Sequence, residues 1–469
     1  MRRPPAGSEE HGAAINFATL GYALFLAAVV AGYWLLPRRA RMWWLLAASL
    51  VFYASWNIGY APGFLLLIVV NYVLGLAAAG RYARAAATTA IAIDLIVLAA
   101  FKYLDVTIGG SASIVSFFLG RPIEWGGLGI VLPLAISFVT FTLVAYIVDV
   151  YRGAPPERNL VHFAVFIAFF PRVIAGPIMR GHEFLPQLRF RRGFRLAFLD
   201  MAVPLLVSGL LKKVMADQLA PFVQDGFREV GAQSSLAIAT VAVAFTFQLY
   251  LDFAGYTDMA RGSARLMGIG VSRNFDWPYR SLSMGEFWRR WHMTLGAWLR
   301  DYLYFPLGGS RRGARRTYVN LMVTFSLAGL WHGAGAGFVM WGLLQGLGLS
   351  VNRWWRRLPS HRQLPLIVSW AITFTFVVLA RVPFVAPDLS TTFKVYLGIL
   401  VPQGGSMPSL LLVAVLAAGI MGQWTGWERA ARRLAPRHTA RRWLAYGVAA
   451  ALAVALIPTS APDFIYQQF

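Results

Sequence analysis

The sequence predicts an all-α polytopic membrane protein, and three observations carry that prediction. The 469 residues are 58% hydrophobic and only 13% charged. Apolar runs long enough to span a bilayer as helix, about 17–25 residues, recur from one end of the chain to the other. No alternating pattern of the kind a membrane barrel needs is visible, and helix alone satisfies its own backbone in lipid. A soluble domain cannot hide that much apolar surface, because its outside must be covered by polar groups.

The runs follow in order. Phe17–Leu36 is the first, and Pro37, Arg38 and Arg39 end it. The polar start, Met1–Gly12 with Arg2 and Arg3, together with the lack of a small-residue cleavage site, makes this run a retained helix and not a signal peptide. Pro62–Ala79, Val131–Val150, Leu236–Phe253, Leu364–Ala380 and Trp443–Pro458 are further examples, and roughly 11–13 membrane segments fit the whole chain, some short or broken. The net charge of +23 resides in arginine clusters between runs. Such clusters are positive-inside signals, so no nucleic-acid partner is expected. Arg38, Arg39 and Arg41, then Arg81 and Arg84, then Arg152 and Arg158 mark cytoplasmic loops. The absence of cysteine excludes a cysteine acyl-enzyme, a thiolate metal site and disulfides.

Two zones break the simple alternation. His162–Ile178 resembles one span, yet the basic stretch Arg180–Arg195 follows it. Pro171, Arg172, Gly176 and Pro177 interrupt its helix, which predicts a re-entrant or half-crossing segment that packs on protein or lines a cavity. The Arg261–Arg316 zone is too polar to span and too aromatic for a loose loop. Ser283 and Glu286 stand at capping-box spacing, so a helix is expected from Met284. On a wheel of about 100° per residue, Phe287, Trp288, Trp291, Leu295, Trp298 and Leu299 share one arc, with His292 at its edge. Arg289, Arg290 and Arg300 lie opposite, an arrangement suited to the membrane interface. No repeat, linker or soluble domain interrupts the chain, which reads as a single membrane domain over 1–469.

Of the seven histidines, His11, His361 and His438 lie in polar or basic segments. His182 lies in a basic loop and His162 at the start of an apolar run. Only His332 lies inside a long apolar stretch, Val319–Leu344, among Gly329, Gly333, Gly335 and Gly337. An ionisable group at membrane depth is costly and is a functional candidate by default. The glycines leave room for a substrate or for another backbone. His332 is therefore either a general base that takes a proton from an attacking hydroxyl or a core histidine bonded to a carbonyl. Asp94, Asp149, Asp252 and Asp258 are the costly acids. Asp252 and Asp258 are expected to pair with nearby arginines, Arg261 above all, and the other use of Asp149, Asp252 and Asp258 is an ion pathway.

Several stretches together resemble the membrane-bound O-acyltransferase family, and most closely its bacterial polysaccharide branch. They are Tyr250–Ala260, Asn274–Tyr279, Glu286–His292, Arg300–Gly309 and Trp331–Gly333, with Pro133–Arg152, Ala175–Leu188 and Phe464–Phe469. Asp276 and Trp277 depart from what related sequences often carry. The resemblance implies many helices around a central funnel or tunnel, with His332 as the catalytic histidine and His292 as a second site histidine. It implies a substrate-binding set of Asn274, Trp288, Trp291, Arg290, Asp301, Tyr302 and Trp331, with His292 orienting or polarising a thioester carbonyl. No bound cofactor or metal is implied. The acyl group, most simply acetyl, would come from a cytoplasmic thioester, acetyl-CoA or an acyl carrier protein. It would reach an extracytoplasmic polysaccharide such as alginate from the inner membrane, directly or through an esterase-like periplasmic or surface partner. Peptidoglycan or teichoic acid as acceptor, an ion-coupled transporter, and a non-catalytic scaffold are the rivals.

Overall fold

The computed structural model describes residues 17, 19–119, 127–128, 132–189, 193–358, 364–425 and 440–457. The polar N-terminus with Arg2, Arg3 and His11, the histidines His361 and His438, and the Phe464–Phe469 end lie outside the described residues. Among the described residues the regular structure is helical, apart from one isolated bridge between Gln233 and Ser406.

The chain forms two compact units, Met1–Ala202 with Ala260–Ser272, and Val203–Met259 with Arg273–Phe469. In chain order the helices are α1 (Leu20–Leu35), α2 (Arg41–Ala54), α3 (Ala61–Ala77), α4 (Ala83–Leu119), α5 (Ile136–Tyr151), α6 (Leu160–Ala168), α7 (Phe170–Val173) and α8 (Gly181–Arg189). Then come α9 (Ala197–Arg228), α10 (Ser235–Leu266), α11 (Met284–Arg290), α12 (Met293–Leu299), α13 (Gly313–His332) and α14 (Ala336–Trp355). The last are α15 (Leu366–Val385), α16 (Leu389–Leu400), α17 (Leu410–Thr425) and α18 (Ala440–Ala455).

Among the described residues, three helical stretches, Ile58–Ala77, Ser235–Leu266 and Leu366–Val385, are long and apolar enough to cross a bilayer. Five apolar helices among the described residues are shorter, Leu20–Leu35 and Ile136–Tyr151 among them. As expected of segments some of which are short or broken, a few full-length helices stand beside many short or interrupted ones. Leu20, Leu35 and Leu410 are 75%, 85% and 87% exposed, which only a lipid environment makes inexpensive.

In the first unit, α2 packs on α6, and α3 and α5 pack on α4. The expected interruption falls where the prolines and glycine predict it. α6 stops at Phe169, four residues form α7, and the chain stays non-helical from Ile174 to Arg180. Arg172, 4% exposed, donates to the Phe166 carbonyl and lies over the rings of Phe166 and Phe184 at 5.0 and 5.4 Å. Its charge is held by a carbonyl and two π faces, which makes a buried arginine tolerable.

In the second unit, α13 and α14 form the most intimate helix pair. A Cβ on Gly329 would collide with the Phe338 carbonyl, and one on Gly342 with that of Phe325. Gly337 meets the Pro383 carbonyl of α15 in the same way. Of the two uses open to these glycines, the close approach is that of another backbone.

Candidate functional site

The Arg261–Arg316 zone does begin a helix at Met284. Ser283 Oγ accepts from the Glu286 N–H at 3.2 Å, and the Glu286 carboxylate accepts from the Leu282 N–H at 2.9 Å. The helix does not run on to Leu299. It stops at Trp291, and His292 takes a left-handed backbone with φ 39° before α12 starts. A π-helical turn, Arg300–Tyr304, follows. The continuous wheel is therefore corrected, because a left-handed non-glycine residue costs about 1 kcal/mol or more and cannot sit inside a helix. The break turns His292 fully inward, to 0% exposure.

The loop before α11 holds it there. Met293 N–H donates to the Asn274 carbonyl and Asp276 N–H to that of Arg290, both at 2.9 Å. Asn274 Oδ1 accepts from the Thr294 N–H at 3.2 Å and its hydroxyl at 2.9 Å, and lies 3.2 Å from His292 Nδ1. An amide oxygen only accepts, so the Nδ1 proton belongs to His292 and Nε2 carries the lone pair. The ring packs edge-on to Phe253 at 4.7 Å. Burial pushes the imidazole down to about 3, so it is neutral.

Arg290 does not face outward as the wheel placed it. It binds Glu286 at 2.9 Å and Asp276 at 3.1 Å, closing the loop onto the helix. Asp301 is bound by Arg300 at 2.7 Å, and Tyr302 packs on Trp298 with ring centres 5.4 Å apart. Trp291 packs on Phe275 at 5.0 Å. Trp288 donates to Gln345 Oε1 at 3.1 Å and packs on Phe325 and Trp341.

His332 is the last residue of α13, 3% exposed. Its ring lies 4.7 Å from Trp331, 4.9 Å from Trp341 and 5.1 Å from Phe384, the last two edge-on. Trp341 thus joins the surroundings of His332 to Trp288 of α11 within one aromatic assembly.

Sequence reasoning passed over Trp341, Phe384 and Gln345, whose positions depend on α14 and α15 folding back on α13. It also passed over Arg381, 3% exposed on α15 one turn before Phe384. Arg381 donates to the Thr246 carbonyl at 3.1 Å and to the Tyr279 hydroxyl, and its guanidinium lies 3.9 Å above Trp291. The cost of an ionisable residue at membrane depth could have found it, but it sits just past the Leu364–Ala380 run and so resembled a span boundary.

Asp252 and Asp258 meet lysines of α9, which the sequence reading did not name. Lys213 Nζ of α9 lies 2.7 Å from Asp217 and 3.0 Å from Asp252, and Lys212 Nζ lies 2.6 Å from Asp258. Local spacing around Arg261 could not reveal these lysines. Asp149 stands 3.9 Å from His182.

Residues 157–382 match the model of MBOAT, the membrane-bound O-acyltransferase family. The chain is 40% identical over 381 residues to the probable alginate O-acetylase of Azotobacter vinelandii, covering 80% of this chain and 75% of that protein. It is 36% identical over 422 residues to the peptidoglycan O-acetyltransferase of Helicobacter pylori, covering 82% and 79%. A teichoic acid D-alanyltransferase of Streptococcus thermophilus is 30% identical over 268 residues, 54% of this chain and 61% of that protein.

Proposed function

Because the chain belongs to the membrane-bound O-acyltransferase family, we propose that it transfers an acetyl group from a cytoplasmic thioester to hydroxyls of an extracytoplasmic polysaccharide, with His332 as general base. The protein is an O-acyltransferase of the membrane. The multi-pass inner-membrane setting, the acetyl-CoA or acyl carrier protein donor and the esterase-like partner belong to the proposal. Its acceptor class rests on the relatives above, which are an alginate O-acetylase and a peptidoglycan O-acetyltransferase.

The observation that carries the reading is the His332 imidazole, 3% exposed and flanked by three aromatic rings at the end of a helix packed backbone to backbone. Such a ring is held in one orientation and shielded from bulk water. Its basic nitrogen takes the hydroxyl proton as the oxygen attacks the thioester carbonyl. The new C–O bond forms, the C–S bond breaks, and the departing thiolate takes the proton back.

Of the two parts the resemblance implies for His292, orienting and polarising, the proposal takes orienting. Polarising a carbonyl needs an N–H pointed at it, and the proton of this ring faces Asn274. Its Nε2 lone pair instead accepts from a hydroxyl or thiol and orients that group. Trp288, Trp291 and Trp331 complete the substrate-binding set of the proposal, while Arg290 acts through the ion pairs that close its loop onto α11, and Asp301 through its pair with Arg300.

The test is His332→Ala and His332→Gln in membrane vesicles supplied with acetyl-CoA and polysaccharide, scored for released thiol and bound acetate. Both variants should lose about 10²–10⁴-fold in transfer rate at wild-type protein level, the usual contribution of a general base. Transfer at the wild-type rate ends the assignment.

A further inference from the structure

We infer that the first compact unit carries a binding cavity for the headgroup of an anionic phospholipid, built from Arg38, Arg39 and Arg189. The cavity measures about 370 Å³, at the small end of the usual range of about 300–1,000 Å³ for ligand sites. Its lining includes four arginines, Arg38, Arg39, Arg41 and Arg189, together with His162 and Trp43, and no acidic residue.

The arginines are not equivalent. Arg41 is spent on the protein: it donates to the carbonyls of Trp34 and Leu36 and lies over the Tyr33 and Trp34 rings. Arg189 shares its charge with buried Glu157 at 2.8 Å. Arg38 and Arg39 make no ion pair or hydrogen bond among the described residues. The first N–H groups of α6, Val161 and His162, are already taken by the Asn159 side chain, so the helix terminus adds little. The attraction for an anion is therefore that of the two arginines.

What surrounds the cavity selects the anion. Leu35, 85% exposed, ends α1 three residues before Arg38, and Trp43 on the lining is 64% exposed. An apolar helix end and an exposed tryptophan mark the headgroup level of a bilayer. Basic cavities at that depth on the cytoplasmic side hold anionic headgroups. A ligand that satisfies both surfaces has a phosphate diester at one end and acyl chains at the other. This inference does not depend on the role given to His332.

The experiment uses the full chain in nanodiscs of phosphatidylcholine alone or mixed equally with phosphatidylglycerol. The readouts are phosphatidylglycerol retained after mild detergent exchange and the thermal midpoint. Arg38→Gln/Arg39→Gln is compared with Arg356→Gln/Arg357→Gln, which removes equal charge elsewhere. The first pair should weaken phosphatidylglycerol retention about 30-fold, the factor for two arginines at about 1 kcal/mol each, and the control pair should not. Arg39→Gln alone should give about fivefold, which keeps the test sound if the double variant proves unstable in phosphatidylcholine. Equal loss from both pairs, or no loss, overturns the site. A midpoint raised as much by glycerol phosphate in lipid-free detergent as by phosphatidylglycerol overturns the lipid assignment, because a soluble phosphate ester would then suffice.

Discussion

Replacing Lys213 by methionine tests the buried charge cluster of the second unit most directly. Lys213, Asp217 and Asp252 are 5%, 3% and 4% exposed at their side chains, and the single ammonium lies 2.7 and 3.0 Å from the two carboxylates. Removing it leaves two buried acids facing each other without their cation. Breaking a buried pair from one side costs about 3–5 kcal/mol, and Lys213→Met should reach the top of that range because both acids lose their partner. Lys212→Met is the calibrating variant. Its pair with Asp258 is as short, 2.6 Å, but the side chains are 10% and 15% exposed, so water recovers part of the loss and roughly half the effect is expected. The triple change Lys213→Met/Asp217→Leu/Asp252→Leu should regain most of the stability, since no unpaired charge remains. Thermal and denaturant unfolding in detergent, followed by tryptophan fluorescence, measures all three. A Lys213→Met protein within about 0.5 kcal/mol of wild type would refute the argument. So would a triple variant no better than the single one.

Further predictions follow from the same geometry. A Cβ at Gly255 would lie 2.7 Å from the Gly209 carbonyl and 3.0 Å from Lys213 N, so Gly255→Ala must part α9 and α10 by about 0.7 Å and should cost about 1–3 kcal/mol. Gly447→Ala, with open space around it, should be neutral or slightly stabilising, and equal midpoints for the two would refute the close-crossing account. Arg381→Gln should destabilise by about 2–3 kcal/mol through loss of the Trp291 face and the Thr246 and Tyr279 bonds. Arg381→Lys should rescue little of it in the same unfolding assay, because an ammonium does not stack as a guanidinium does. The unfolded His292 takes up a proton near its ordinary value, about 6.5, whereas the folded one resists until about 3. Its contribution to stability is therefore present above about 6.5 and is lost as pH falls below it. Between about pH 7 and pH 4.5 the wild type should lose about 2–3 kcal/mol more than His292→Gln, and parallel stability curves would contradict this.

The membrane class, the break at Pro171–Pro177, the helix start at Met284 and the isolation of His332 in an apolar stretch were all legible along the chain. Each depends on neighbours within a few residues: proline geometry, a capping pair, or the solvation cost of one ring among apolar side chains. Where the reading fell short, the missing partner was distant. Asp252 met Lys213 rather than showing its partner nearby in sequence, Arg381 met Tyr279 and Trp291 across 102 and 90 positions, and the walls of His332 came from α14 and α15. The kink at His292 was hidden for a related reason. Nothing in the sequence Trp291-His292-Met293 forbids helix, and only the bonds to Asn274 make the left-handed turn the better choice.

Sequence alone thus determined that the chain is helical, belongs to a membrane and carries one imidazole inside a long apolar stretch, since hydrophobicity and backbone satisfaction are properties of short segments. Tertiary structure decided which way His292 presents its proton, which lysines neutralise the buried acids and which rings enclose His332. Those choices are made by contacts between helices far apart in the chain, where glycines let backbones touch and fix what each buried polar group can reach.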